Sequence, residues 1–575
     1  MALKAFSSVI LLSLVTKHVY AEDVPFSPCP LLGPRFPIPT QLSASPILQS
    51  GLKNLTDAFD DYVTSLNGTF GPTSSSTSFS VALFSTEDTD STQPFLYEYH
   101  HTAPSFANET SGTLEVDADT VYQIGDSTTL FTTWLFLIEA GEQHWTDPVS
   151  RWVPELLDAA NGTASGISVD WDDVTLGDLA AHLGGIGRYA PSNMTGEIES
   201  LLNGLTNATI TAPCDSISAA CERADFLSYF GRRAPVFAAG TTPIFSNAGF
   251  IILAYALESI TGQPYESILE SSIIQPLNLS RTTYLQPSTQ NSTALTYPSQ
   301  SASLNAIEGP YNGLTSSAHD MSTALRAVLA STLLPPSTTR RWLKPVSHTS
   351  NLVNSVGRPW EIYSLSDTPI SPVIPVYQVR GNVGLYASHI GLVPDYNMGF
   401  VILAADSEGS PDLNAHADII ATELIPALEQ SAIVEASTAY AGTYVSDSNM
   451  TLVVAQATDS SPGLSVSHFR LGDKDIRAAY AELNSIDPEN LSFRLYPTNV
   501  GGDGKQMVFR ASFQDVSALA DAGTPTCDTW RYIDQFQLHG VSLDEFVFEI
   551  KGGKAVGVTV PAFNATLLKQ GERVM

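Results

Sequence analysis

The chain has 575 residues, too many for a single hydrophobic core, so two or three domains are expected. Acidic residues exceed basic ones by 59 to 27, a formal charge of −32 at pH 7. Such a surface repels nucleic acid and anionic lipid, which excludes both as partners, and it suits solubility outside the cell or in an acidic medium.

Residues 1–21 read as a secretory leader: Lys4 near the start, an apolar run from Ala5 to Val15, and Val19-Tyr20-Ala21 as a cleavage site ahead of Glu22. The run is far shorter than the roughly 20 residues that span a bilayer, so no membrane association is expected after cleavage. Secretion gives two other features their meaning. Eleven Asn-x-Ser/Thr sequons, at Asn54, Asn67, Asn108, Asn161, Asn193, Asn207, Asn278, Asn291, Asn449, Asn490 and Asn564, become candidate glycosylation sites on surface loops. The four cysteines lack metal-site spacing and imply two disulfides. Three pairings are open; the simplest joins Cys214 to Cys221 and Cys29 to Cys527.

From Leu48 to Gly141, helix-like and strand-like stretches alternate. Ile47–Leu66 has helical spacing, and Ser80–Ser85 and Thr120–Ile124 read as strands. The Ser/Thr-rich run Thr73–Ser80 reads as a loop. Apolar helices are expected over Thr128–Gly141, Asn247–Gly262 and Asp320–Thr332, the first two closed by glycine. Strands Tyr386–Val393 and Met398–Ala405 flank the turn Pro394-Asp395-Tyr396-Asn397, and a helix over Asn414–Ala432 follows. Strands at both ends with helices between them predict an α/β (α+β) domain, a central antiparallel sheet flanked by helices, over residues 22–432. Short alternating stretches from 433 to 575 predict a C-terminal all-β domain, a small barrel or sandwich.

Six phrases across roughly residues 40–430 carry a family resemblance. They are Tyr122-Gln-Ile-Gly-Asp-Ser-Thr-Thr-Leu-Phe-Thr132, Asp147-Pro-Val-Ser-Arg-Trp-Val-Pro-Glu155, Thr175-Leu-Gly-Asp-Leu-Ala-Ala-His-Leu-Gly-Gly-Ile186, Gly240-Thr-Thr-Pro-Ile-Phe-Ser-Asn-Ala-Gly249, Gly313-Leu-Thr-Ser-Ser-Ala-His-Asp-Met321 and Gly381-Asn-Val-Gly-Leu-Tyr-Ala-Ser388. Their order and spacing resemble the class C serine β-lactamases, the penicillin-binding proteins and the related esterases and acyltransferases. The tail after 433 resembles, more loosely, a β-rich domain carried by fungal relatives. The resemblance implies an active site between an α/β domain and a helical region.

In that family an S-x-x-K motif at a helix start supplies a nucleophilic serine, with a lysine one turn later to take its proton. A Y-x-N motif adds a proton-shuttling tyrosine, and a K-T-G strand lines the far wall. Aligned on its flanks, the first phrase puts Asp126 at the serine position and Thr129 at the lysine position. Shifting by one makes Ser127 the nucleophile and leaves Leu130 for the lysine. The second motif reads Phe245-Ser246-Asn247 and the third Val379-Arg380-Gly381. Losing both bases leaves a serine hydroxyl protonated and a poor nucleophile, because general acid–base assistance is worth about 100- to 10,000-fold. Arg380 either holds a ligand carboxylate or pairs with an acid of the protein. Asn247 reads as a helix cap or a remnant of the pocket, His182 as a packed histidine, and Ser388 and His389 as pointing to opposite faces of a strand.

The degenerate site is therefore Asp126, Ser127 and Asn247, with Phe245, Arg380 and Gly381 as ligand contacts. No metal or cofactor is implied. Three functional readings follow. The first is a secreted protein that binds or modifies a small natural product, as in fungal secondary metabolism, without hydrolysing β-lactams. The second is an active esterase, acyltransferase or cyclisation catalyst with rearranged residues. The third is a structural or binding glycoprotein with a vestigial pocket.

Overall fold

The computed structural model describes residues 26–571 except 66–68, 72–73, 88–94, 109–112, 114, 161–166, 190–220, 286–305, 367–372, 456–460, 501–503 and 520–525. The leader, Cys214 and the sequons at Asn67, Asn161, Asn193, Asn207 and Asn291 lie outside the described residues. The chain divides into two compact units, one of Phe36–Asp367 with Val373–Ala436, the other holding the residues before Phe36 and those from Ser437 on.

The first unit is built on an eight-stranded antiparallel sheet. Its strands are β1 (Thr77–Ser85), β2 (Tyr97–His101), β6 (Ser347–His348), β7 (Asn354–Val356), β8 (Glu361–Leu365), β9 (Ile374–Val383), β10 (Tyr386–Val393) and β11 (Met398–Asp406), in the order β2-β1-β11-β10-β9-β8-β7-β6. A second, three-stranded sheet joins β3 (Val121–Gln123), β5 (Leu314–Ser317) and β4 (Thr283–Tyr284). Every residue of β1 and β11 is buried, because those strands are covered on both faces. The Ser/Thr-rich run is thus not all loop: Thr77–Ser80 are strand, their small hydroxyl side chains satisfied inside the sheet layer, as where Ser80 Oγ meets Tyr122 at 2.9 Å.

Among the described residues, five helices of twelve residues or more begin in this unit. The first, α1 (Pro46–Thr64), is capped by Ser45, whose Oγ accepts the Leu48 N–H at 3.3 Å. α2 (Thr128–Glu139) and α3 (Asn247–Thr261) are apolar almost all round and form the heart of the core. α3 ends on Gly262 in the left-handed region, as its glycine predicts. α4 (Ala318–Leu329) packs on β1 and β11. α5 runs Asn414–Tyr440, eight residues past the expected end at Ala432, and Pro426 sits inside it without stopping it.

The second unit is an antiparallel barrel. Met450–Ala455, Gly442–Val445, Ala565–Lys569, Lys554–Val560, Glu545–Lys551, Gln506–Asp515, Leu491–Pro497 and Leu464–Leu471 pair in that order, and the last pairs back with the first. Closure removes exposed edges; the short strand Lys474–Asp475 hangs outside the ring, and Gln537–Leu538 pairs separately with Val541–Ser542. The core is aromatic, with Phe469, Phe493, Phe509, Phe546 and Phe548 buried. Cys29 and Cys527 form a disulfide within this unit. Cys221 is also disulfide-bonded. Asn54, Asn278, Asn449 and Asn564 are exposed and Asn490 half-buried. Asn278, Asn449 and Asn564 sit at left-handed turns. Asn108 ends a short 3-10 helix, Pro104–Asn108. Among the described residues no helix is long and apolar enough to cross a membrane.

Candidate functional site

The first phrase folds as a single 3-10 turn, Gly125–Ser127, running straight into α2. Gly125 has φ +55°, and a Cβ there would lie 2.8 Å from the Asn382 nitrogen. Across from it, a Cβ on Gly381 would lie 2.1 Å from the Ile124 carbonyl oxygen and 2.8 Å from the Asp126 nitrogen. Two glycines therefore let β9 and the turn touch backbone to backbone. That close approach is the reason for the glycine that survives in Val379-Arg380-Gly381.

The turn sorts its two polar side chains. Ser127 is wholly buried, and its Oγ lies 2.7 Å from Ser388 Oγ. Ser388 donates in turn to the Ile124 carbonyl at 2.6 Å, so the Ser127 hydroxyl donates to Ser388 and is spent on tying the turn to β10. No base faces it. Thr129, at the lysine position, is buried and folds its hydroxyl back onto the Asp126 carbonyl at 2.7 Å.

The Asp126 carboxyl accepts no hydrogen bond among the described residues. Burial pushes it up to about 7, Arg188 opposes that rise, and the Glu361 charge adds to it. Arg188 is exposed, and its guanidinium lies 4.6 Å from the centre of the Phe245 ring. On its other side Phe245 stacks on His182 at 4.9 Å. Phe245, which replaces the tyrosine, is thus the middle of an Arg–Phe–His pile and presents no hydroxyl. His182 Nδ1 accepts the Ser246 N–H at 3.3 Å, and burial lowers its pKa to about 4, with Arg188 adding to the effect. It is a neutral, packed histidine.

A phenol does enter the site from elsewhere. Tyr311, in the short helix Gly309–Asn312, is buried against the turn, α2 and α3. Burial and the nearby carboxylates of Glu308 and Asp126 raise its pKa, while a hydrogen bond with Asn247 lowers it, so it is a protonated donor at neutral pH. Asn247 does not cap α3; Ser246 does, accepting the Gly249 N–H at 3.3 Å. Asn247 instead clasps Tyr189: its Oδ1 accepts the Tyr189 N–H at 2.9 Å and its Nδ2 donates to the Tyr189 carbonyl at 2.8 Å.

Of the residues singled out from sequence, Asp126, Ser127, Asn247, Phe245 and Gly381 converge here, and Arg380 does not. It alternates with Val379 and Gly381 along β9 and so points to the other face of the sheet. There it pairs with Glu361 on β8, Nε at 3.0 Å and Nη2 at 2.7 Å. His389 likewise faces away from Ser388, bonded to Gln378 at 2.9 Å. Sequence reasoning missed Arg188 and Tyr311. Both flank phrases already noted, Arg188 two residues past Ile186 and Tyr311 two before Gly313, but neither belongs to a motif.

Residues 88–424 match the family model described as β-lactamase. The chain belongs to the β-lactamase family. Residues 432–571 match a second model, the C-terminal domain of β-lactamase-like proteins. Among named relatives of this β-lactamase-family chain is a β-lactamase-like protein of Arthroderma benhamiae, 28% identical over 94% of this chain and 96% of its own. A probable hydrolase of Phoma sp. is 24% identical over 83% of each chain. A solved class C β-lactamase superposes with a TM-score of 0.47 at 16% identity, over 66% of this chain and 96% of its own. Among the described residues no group of three or more histidine, cysteine or acidic side chains is placed to hold a metal ion.

Proposed function

We propose that this β-lactamase-family chain is a secreted glycoprotein that binds a small organic molecule and transfers protons to or from it, without forming a serine acyl-enzyme. The observation that carries this is the Asp126 carboxyl: it occupies the nucleophile position and is held near a pKa of 7. A carboxyl poised there is half protonated at neutral pH, the condition in which a general acid or base works best. Tyr311 is a second donor beside it, and Arg188 is a cation that stabilises the ionised form. Ser127, bound to Ser388 and without a base, supports no acylation, and a carboxylate attacking an ester would give a reactive anhydride. β-Lactam hydrolysis is therefore not the activity proposed. A small natural product, as in fungal secondary metabolism, suits the relatives named as hydrolases of Phoma sp. and Cochliobolus lunatus.

A second reading, a glycoprotein with a vestigial pocket, is favoured by Asn247, whose amide is committed to Tyr189 and Tyr311. The two part in one experiment. The wild type and the variant Asp126→Ser/Thr129→Lys/Phe245→Tyr are incubated with a fluorophosphonate and an activated ester, and intact mass is recorded. The proposal expects no adduct on the wild type and an adduct on the restored variant. An adduct on wild-type Ser127 overturns it, and silence from both favours the vestigial reading.

A further inference from the structure

On the far side of the eight-stranded sheet from Asp126, strands β8 to β11 and helix α5 enclose a cavity of about 440 Å³. That volume lies within the range of small-molecule sites, roughly 300–1,000 Å³. The side assignment follows from alternation: Gln378 and Arg380 line it, whereas Val379 and Gly381 face the Gly125–Ser127 turn. Its walls are Val376, Val393, Met398, Ile420, Leu424 and Leu428. Small side chains, Ala417 and Ala421, stand on the α5 side of the gap.

One polar group in this wall has nothing to bind. His389 is 3% exposed, and its Nδ1 has no hydrogen-bond partner among the described residues. Its Nε2 lies 2.9 Å from Gln378 Oε1. An amide oxygen only accepts, so Nε2 carries the proton and Nδ1 is left as a buried acceptor. A buried acceptor without a donor is destabilising, and a ligand that brings a donor relieves it. Of the charged groups in the wall, Arg380 is already engaged by Glu361 and Asp418 is exposed to solvent.

We propose that this cavity is a second binding site, for a small, neutral, mostly apolar molecule carrying one hydroxyl or N–H that donates to His389 Nδ1. It is independent of the chemistry at Asp126 and stands whether or not that reading holds.

The test titrates the full chain by calorimetry with 1-decanol and with 1-methoxydecane, which has the same chain but no donor. Decanol is expected to bind one per chain, about tenfold tighter than the ether, the worth of one hydrogen bond. His389→Leu should erase that preference while the apolar binding remains. Ala421→Trp should fill the cavity and abolish binding of both. Hydrogen exchange on the wild type reads the same site without a substitution: decanol should slow exchange in β9, β10 and α5 only. Absence of decanol binding, equal affinity for the ether, or protection elsewhere in the chain overturns the proposal.

Discussion

Asp126 and Ser127 are neighbours in one 3-10 turn and face opposite ways, Ser127 into the sheet against Ser388 Oγ at 2.7 Å and Asp126 toward Arg188 and Tyr311. In this chain the turn presents a carboxyl, and the serine beside it is tied to β10. The consequences can be measured at individual residues.

Replacing Asp126 by Asn should stabilise the protein, increasingly so as pH rises. The folded carboxyl titrates near 7, the unfolded one near 4. Below 4 both states are protonated and the substitution is neutral on this account. Between 4 and 7 only the unfolded state ionises, so the wild type loses stability there; above 7 the difference is constant. After discounting for partial exposure the gain is on the order of 2 kcal/mol at pH 8. Urea melts of both proteins at pH 4, 6 and 8 check it.

Arg188→Ala should raise the Asp126 midpoint above 7, since the guanidinium favours the ionised carboxyl, and Arg188→Lys should restore most of it. A merely structural role for Arg188, clamped on Phe245, would move stability and leave the titration alone.

Gly381→Ala should cost about 1–3 kcal/mol, because the methyl meets the backbone of Ile124, Ser127 and Asp126 rather than a movable side chain. The same substitution at Gly409, whose Cβ would meet nothing within 4 Å and whose φ is not positive, carries no crowding cost. Equal losses at the two positions would contradict the close approach of β9 to the turn.

Acid should destabilise the first unit through three buried histidines. His182 and His416 are lowered to about 4 and His389 to about 3, each chiefly by burial, against about 6.5 unfolded. As pH falls from 6.5 toward 4 the unfolded state takes up protons that the folded state refuses, so stability falls, by up to about 4 kcal/mol per pH unit for three groups. His416 sits among Phe59, Phe79 and Tyr62, with neither ring nitrogen hydrogen-bonded among the described residues. His416→Phe should therefore stabilise, and more at pH 5 than at pH 8, in calorimetric scans.

Much of the architecture was readable from the chain because the signals were local. Glycine after Thr261, the apolar runs of α2 and α3, and alternation in β10 and β11 each follow from nearest neighbours. α5 outran its expected end because Ala436, Ala439 and Tyr440 are still buried past Ala432, a tertiary packing that the local sequence does not signal. Alternation is hard to read in two barrel strands: Ala565–Lys569 sets exposed Leu568 beside buried Leu567, and Leu464–Leu471 exposes Ser467 and His468 in succession. In the site, the lost lysine and tyrosine were visible because their flanking phrases survive. Arg188 and Tyr311 were not, since each reaches Asp126 across the fold from a different element. Glu361 as the partner of Arg380 is a cross-strand pairing, which needs the register of β8 on β9.

The central claim is that a carboxyl held at the edge of ionisation stands where the acyl-enzyme serine belongs. Infrared difference spectra of wild type against Asp126→Asn, taken across pH 4 to 9, isolate the C=O stretch of that one protonated carboxyl. A midpoint near 7 is predicted. A midpoint near 4, the value of an ordinary exposed aspartate, would contradict it.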